Sequence, residues 1–194
     1  MPRNKQFDEQ KALDAAMRTF WEKGYEGTSL QDLESATGLA RTSIYNAYGN
    51  KRKLFEKAII RYRNTVLHDL VAKLNNASTA REGIRALMQG IVDMHYDSRT
   101  PGGCLVVLSI LESEQHDDRS SALVEEMIGQ MKKAIHKRLL DARRNGDLPA
   151  DLDVNGVSSS ITAAVAGMMV MGKAGFPRST LQGVIRTTLN LLES

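Results

Sequence analysis

The chain has 194 residues, 42% of them hydrophobic and 25% charged, with a formal net charge of +3. This is globular material, which excludes the disordered, fibrous and collagen-like classes. A single cysteine, Cys104, excludes an internal disulfide framework and fits a reducing cytoplasm.

The polar start, MPRNKQFDEQ, carries no secretory pattern, and the most apolar run, ITAAVAGMMVMG at 161–172, reads as too short and too glycine-rich to span a bilayer unaided. The expectation is a cytoplasmic protein without a membrane partner.

Apolar residues recur at helical spacing along nearly the whole chain, which predicts an all-α fold of about nine helices. The first covers 7–24 with the stripe Leu13, Ala16, Met17, Phe20 and Trp21, and stops at Gly24. GTSLQDLESATG then offers Thr28 or Ser29 as N-cap, with Gln31 or Asp32 three residues on, so a two-turn helix is expected at 29–36. A second short helix fits 40–47, and Asn50 can cap a long one over 50–75. Further helices are expected at 79–97, 104–114, 119–145, 153–174 and 178–192, with Pro177 setting the last break. Three short helices followed by long ones suggest a small N-terminal head, residues 1–52, on a helical body, residues 53–194.

Charge is uneven. Residues 1–63 hold 12 Lys or Arg against 8 Asp or Glu, whereas residues 64–194 hold 14 against 15. Within 39–63 there are seven bases (Arg41, Lys51, Arg52, Lys53, Lys57, Arg61, Arg63) and one acid, Glu56, and no acid at all falls between Glu34 and Glu56. Such a field attracts a polyanion.

Helix, glycine turn, helix is the layout of a helix-turn-helix DNA reader. Gly38 is the turn residue that can take a left-handed conformation. Leu33, Leu39 and Ile44 are spaced to plug both helices into a head core with Phe20 and Trp21. Helix 40–47 then presents Arg41, Thr42, Ser43 and Asn46, types that suit base edges. Lys51 at the start of the long helix, and Thr28 or Ser29 at the start of the supporting one, suit phosphates. Tyr45 and Tyr48 can each donate a phenol hydrogen bond to the DNA backbone, and for Tyr48 packing in the head with its hydroxyl at the rim is an equal alternative.

The stretch TSLQDLESATGLARTSIYNAYGNKRKLF resembles the DNA-binding segment of the TetR/AcrR family of bacterial transcriptional regulators. The matching residues include Gly24, Tyr25, Thr28, Gly38, Tyr45, Tyr48, Lys51, Leu54 and Phe55. The family often has alanine where this chain has Glu34 and Thr37, and a carboxylate at 34 must point outward or find a partner. The resemblance implies a homodimer on a palindromic double-stranded DNA operator, paired through helices near 153–174 and 178–192. It also implies a small-molecule effector in the body. Candidate lining residues are Met88, Met94, His95, Tyr96, Leu108, Met127, Met131, Met168 and Met169, each also readable as core filling. Cys104, at a helix start after PGG, is a candidate sensor thiol or a buried structural one.

His95, His116 and Cys104 are not at metal-ligand spacing, so no metal is expected. GMMVMGKA at 167–174 only approaches a phosphate-binding loop, because Ala174 cannot hold magnesium and no strand precedes it. Neither a cofactor nor catalysis is expected. A repressor released from its operator by a small molecule or a thiol-reactive signal is the reading, with an activator of the same architecture, or a helical adaptor that binds no DNA, as alternatives.

Overall fold

A computed structural model of the chain describes residues 8–111 and 118–193. Among them there is no strand, and the helices are α1 (Glu9–Lys23), α2 (Leu30–Thr37), α3 (Arg41–Tyr48), α4 (Lys51–Tyr62), α5 (His68–Asn76), α6 (Ala80–Tyr96), α7 (Leu105–Leu111), α8 (Asp118–Arg144), α9 (Val154–Lys173) and α10 (Arg178–Leu189). A π turn, Arg63–Leu67, joins α4 to α5 without a break, so these form the single long rod expected from the sequence, with one register slip inside it.

The local chemistry explains each start and stop in the head. Asp8 caps α1 by accepting from Lys11 N–H at 3.1 Å. Ser29 opens α2 with a full capping box: its hydroxyl accepts from Asp32 N–H at 3.1 Å, and the Asp32 carboxylate accepts from Ser29 N–H at 2.8 Å. The Lys23 ammonium and these donors hold the Asp32 carboxyl far below the ordinary carboxylate range. Gly38 ends α2 at φ 68°, ψ 13°, the left-handed region where a side chain would be strained.

The head core is aromatic. Phe20 is fully buried, with its ring 5.1 Å from that of Phe55 in an edge contact and 6.3 Å from that of Tyr25. Leu33 and Ile44 are fully buried beside it, and Leu39 packs on the same cluster. Phe55 belongs to α4, so the head borrows the first turns of the long rod.

Trp21 is buried in the same continuous cluster, as the sequence stripe suggested, but it also reaches the body. It sits one residue, and so about 100° of helix, from Phe20, which turns it toward the body. There its ring meets the Tyr62 ring edge-on at 4.9 Å, and its Nε1–H donates to Gly103 O at 3.3 Å. Arg18 adds a second tie by donating to Arg99 O at 2.6 Å, and Arg61 adds a third through a two-pronged pair with Asp14.

The body wraps α6, α8, α9 and α10 around a common core that includes Ile84, Leu87, Ile135, Ile161 and Leu181. By length and composition α9, 20 residues with a mean hydropathy of 1.4 over its most apolar window, is in fact long enough to cross a membrane. Its packing on α6, α8 and α10 accounts for one side of that apolar character. The other side carries Ser159, Ser160, Ala163, Ala166, Gly167 and Val170, all exposed in the single chain.

Candidate nucleic-acid interface

Helix α3 sorts its residues cleanly between two faces. Ile44 and Tyr48 point inward, fully or nearly fully buried, while Arg41, Thr42, Tyr45 and Asn46 are exposed. The exposed four fall at i, i+1, i+4 and i+5, which places them on one face of a helix. The Arg41 guanidinium lies 5.8 Å from the centre of the Tyr45 ring, so these two long side chains are held together. Ser43 lies off this face and is half-buried.

A short helix needs its first N–H groups satisfied, and Ala40, the N-cap residue of α3, has no side chain to do it. Glu34 supplies the cap from the neighbouring helix: its carboxylate accepts from Arg41 N–H at 2.7 Å. The carboxylate that looks misplaced in an otherwise acid-free region therefore fixes the angle between α2 and α3. Thr37 closes the same turn, donating to Leu33 O at 2.6 Å and accepting from Leu39 N–H at 3.3 Å. Replacing Glu34 with alanine should lower stability by about 1 kcal/mol, the usual cost of losing a helix cap. Glu34→Gln, which keeps the acceptor, should recover most of it. Urea unfolding of the two variants checks this, and equal losses would mean the charge matters rather than the cap.

Lys51 begins α4, where Asn50 caps the helix by accepting from Lys53 N–H at 2.9 Å. The Lys51 ammonium lies 4.4 Å from the centre of the Tyr25 ring. Lys53 and Lys57 are exposed beside it. Among the bases of this region, Arg61 pairs with Asp14, and Arg63 with Glu126 at 3.2 Å, so both are committed elsewhere. The lone acid, Glu56, is buried against Arg119 at 2.9 Å, so it does not oppose the positive face.

Two expected contact residues are displaced from the surface. Thr28 is fully buried and donates its hydroxyl to Gly24 O at 2.6 Å, closing the turn before α2, so of the Thr28 and Ser29 pair only Ser29 is exposed. Tyr48 is 3% exposed and its hydroxyl donates to Glu9 O at 3.1 Å, tying α3 to α1. Burial and the Glu9 charge push its phenol pKa up, as a packing residue requires.

The body holds a cavity of about 80 Å³. Cys104, Met127, Met131 and Met169, four of the candidates named from the sequence, line it together with Tyr62, Leu67, Leu70, Val107, Thr162 and Val165. Met88 and Met168 are instead buried in the surrounding core, and Met94 is half-buried away from the cavity lining. His95 accepts from Gly103 N–H through Nδ1 at 2.9 Å and, with Tyr96, lines a separate open cleft. The side chain of Leu108, like His116, lies outside the described residues.

A helix-turn-helix with an acid-free reading face, carried on an all-helical body, defines a DNA-binding regulator. The comparisons agree. Residues 12–58 match the model of bacterial regulatory proteins of the tetR family, and residues 80–188 match the tetracyclin repressor-like C-terminal domain. The chain is 31% identical to the HTH-type transcriptional regulator YezE of Bacillus subtilis over 194 residues, all of both chains. It is 27% identical to the HTH-type transcriptional repressor ComR of Escherichia coli, covering 97% of this chain and 90% of that one. Among solved structures, a cysteine-substituted TetR family transcriptional regulator CifR, complexed with 26-bp double-strand operator DNA, superposes with a TM-score of 0.88 at 31% identity, covering 97% of this chain and 98% of that one. This chain belongs to the TetR family of bacterial transcriptional regulators, which are DNA-binding proteins and not enzymes.

Proposed function

We propose that the protein is a homodimeric repressor that reads a palindromic operator with α3 and leaves it when a small molecule occupies the body. The observation that carries this is the exposed face Arg41, Thr42, Tyr45 and Asn46, free of acid and flanked by Lys51. Arg41 and Asn46 are the base readers, forking onto guanine and adenine respectively, with Thr42 beside them. Ser29, Tyr45 and Lys51 hold phosphates and set the register. Residues 1–52 form the reading unit and 53–194 the regulatory and pairing body, with the long rod shared between them.

Dimerisation is assigned to α9 and α10. The unpartnered face of α9 carries Ala163, Ala166, Gly167 and Val170, small enough for close approach of a second helix pair. Two heads on a two-fold axis then fall about 34–36 Å apart, the spacing of successive major grooves. Relatives named as repressors, ComR among them, favour repression over activation. A regulator of chromosomal DNA acts in the cytoplasm.

Between a binding and a thiol-reactive signal, the environment of Cys104 favours binding. Burial pushes its thiol pKa up despite the Tyr62 hydroxyl 3.5 Å away, so the thiol stays protonated at neutral pH and is a poor nucleophile. Iodoacetamide at pH 7.5 should therefore alkylate Cys104 at least about tenfold more slowly in the native protein than in denaturant, as read by intact mass. Equal rates would restore the sensor-thiol reading.

Fluorescence anisotropy on duplex DNA from around its own gene, across a salt series, tests the function. Two chains per site, on one palindromic fragment, with affinity falling steeply as salt rises, are expected. No salt-dependent binding to any fragment would leave the helical adaptor as the surviving reading.

A further inference from the structure

The cavity has a one-sided chemistry. Its lining contains no charged side chain, and only Tyr62, Cys104 and Thr162 bring a polar group. Thr162 has already donated its hydroxyl to Ser158 O at 2.7 Å, within its own helix. What is left is the Tyr62 hydroxyl, on a residue only 2% exposed. Its oxygen lies against the Leu105 N–H, and its proton is directed at the Cys104 sulfur 3.5 Å away. Sulfur is a weak acceptor, so this is a buried donor with a poor partner.

Tyr62 also stands where the long rod slips register. It is the last residue of α4, the π turn follows it directly, and Leu67, which ends that turn, and Leu70 beyond it line the same cavity. π turns are rare and concentrate at functional sites. The Tyr62 ring also meets the ring of Trp21 of the head, 4.9 Å between centres, and that indole is anchored in turn on Gly103 O. One side chain thus touches both the cavity and the DNA-reading unit.

Size supplies the remaining argument. A cavity of about 80 Å³ is roughly half of the ~150 Å³ that accommodates a benzene ring. The cavity is partly open beside Ile128 and Ala166, both exposed, and a one-ring molecule entering there seats fully only by moving a wall. The three methionines yield readily, but Tyr62 cannot move without disturbing the seat of Trp21.

Resting on the reading of a ligand-released repressor, we propose that this cavity is the effector site. Its ligand is a small, uncharged, apolar molecule bearing one hydrogen-bond-accepting oxygen, which Tyr62 reads. The ligand's oxygen replaces sulfur as acceptor of the Tyr62 proton, the ring shifts, and the head loses its seat against the body. A ligand that prefers the shifted state weakens operator binding by its differential affinity for the two states. A carboxylate or ammonium ligand finds no counter-charge here and pays its full desolvation.

The single tryptophan, Trp21, makes the test direct. Cyclohexanone, cyclohexane and cyclohexanecarboxylate are titrated into the full-length protein while Trp21 emission is followed with excitation at the red edge of the tryptophan band. Free N-acetyltryptophanamide is titrated alongside to subtract the weak carbonyl absorption and collisional quenching of cyclohexanone. Cyclohexanone should give a saturable change, and the carboxylate should bind at least about 100-fold more weakly. Tyr62→Phe should weaken cyclohexanone about tenfold and leave cyclohexane unchanged. A cavity-filling Val107→Phe should abolish the response to both neutral rings. Added to the operator complex, cyclohexanone should weaken DNA binding of the natural protein and not of Val107→Phe.

Each arm decides. A carboxylate that binds as tightly, an unchanged cyclohexanone affinity in Tyr62→Phe, or a response that survives Val107→Phe overturns the ligand class or the site while leaving the repressor standing. The fluorescence arm needs no DNA, so saturable Tyr62-dependent binding by a protein that holds no operator keeps the site and removes the repressor reading. Binding that leaves operator affinity untouched overturns the transmission through Trp21.

Discussion

Phe20→Ala should unfold the head while leaving the body folded. Phe20 is fully buried between Tyr25 and Phe55, in a core built mainly by three short helices and the first turns of α4. Removing a buried phenylalanine costs about 3–5 kcal/mol through lost transfer energy and the cavity left behind. A domain's whole stability is about 5–15 kcal/mol, and so small a unit holds only part of that. Thermal melting followed by far-UV circular dichroism should gain an early transition carrying the helix content of α1 to α3, with operator binding lost at 37 °C. Ile84, Ile135 and Ile161 hold the body from α6, α8 and α9, on other helices than Phe20, and the body should melt as before. A single unchanged melt with operator binding intact would mean the head core is assigned wrongly.

Gly167→Glu should separate pairing from folding. Gly167 lies on the exposed face of α9, and apart from its own helix backbone and immediate neighbours a Cβ there would meet no atom of the chain within 4 Å. In one chain the substitution is harmless, and replacing an exposed helical glycine contributes up to about 1 kcal/mol in helix propensity. If a second copy covers this face, the same carboxylate is buried without a partner, a penalty of several kcal/mol per chain. Sedimentation should then show a monomer with full helix content and undiminished stability. Operator affinity should fall by at least about 100-fold, because the two half-sites are no longer bound by one linked molecule. A dimer that persists at the same concentration would move the interface away from α9.

The helical plan was legible because burial repeats at helical spacing, and the head because Ser29, Asp32, Gly38 and Asn50 are local signals whose chemistry does not depend on the rest of the fold. What escaped was whatever depends on neighbours distant in sequence. Adjacent Phe20 and Trp21 belong to one apolar stripe, yet the second also reaches the body, and only the position of Tyr62 and Gly103 decides that. Tyr45 and Tyr48 look alike in sequence; three residues of helix turn one outward and the other onto Glu9 O. Thr28 reads as an exposed cap until the turn after Gly24 folds over it. The π turn leaves no local signature, and methionine spacing reports burial without saying which methionines meet empty space. Glu34, one of the two departures noted from the family's habit, has its partner seven residues ahead, at the backbone of Arg41.

The most direct test of the central claim, that α3 reads bases while Lys51 holds the backbone, compares three substitutions on the operator and on a shuffled duplex of the same composition. Arg41→Ala and Asn46→Ala should each cost about 1–3 kcal/mol on the operator and little on the shuffled duplex, so that specificity shrinks. Lys51→Ala should weaken both duplexes alike and lower the salt dependence by about one phosphate contact. If all three substitutions weaken both duplexes equally, the exposed face of α3 does not read sequence, and the account given for this interface is wrong.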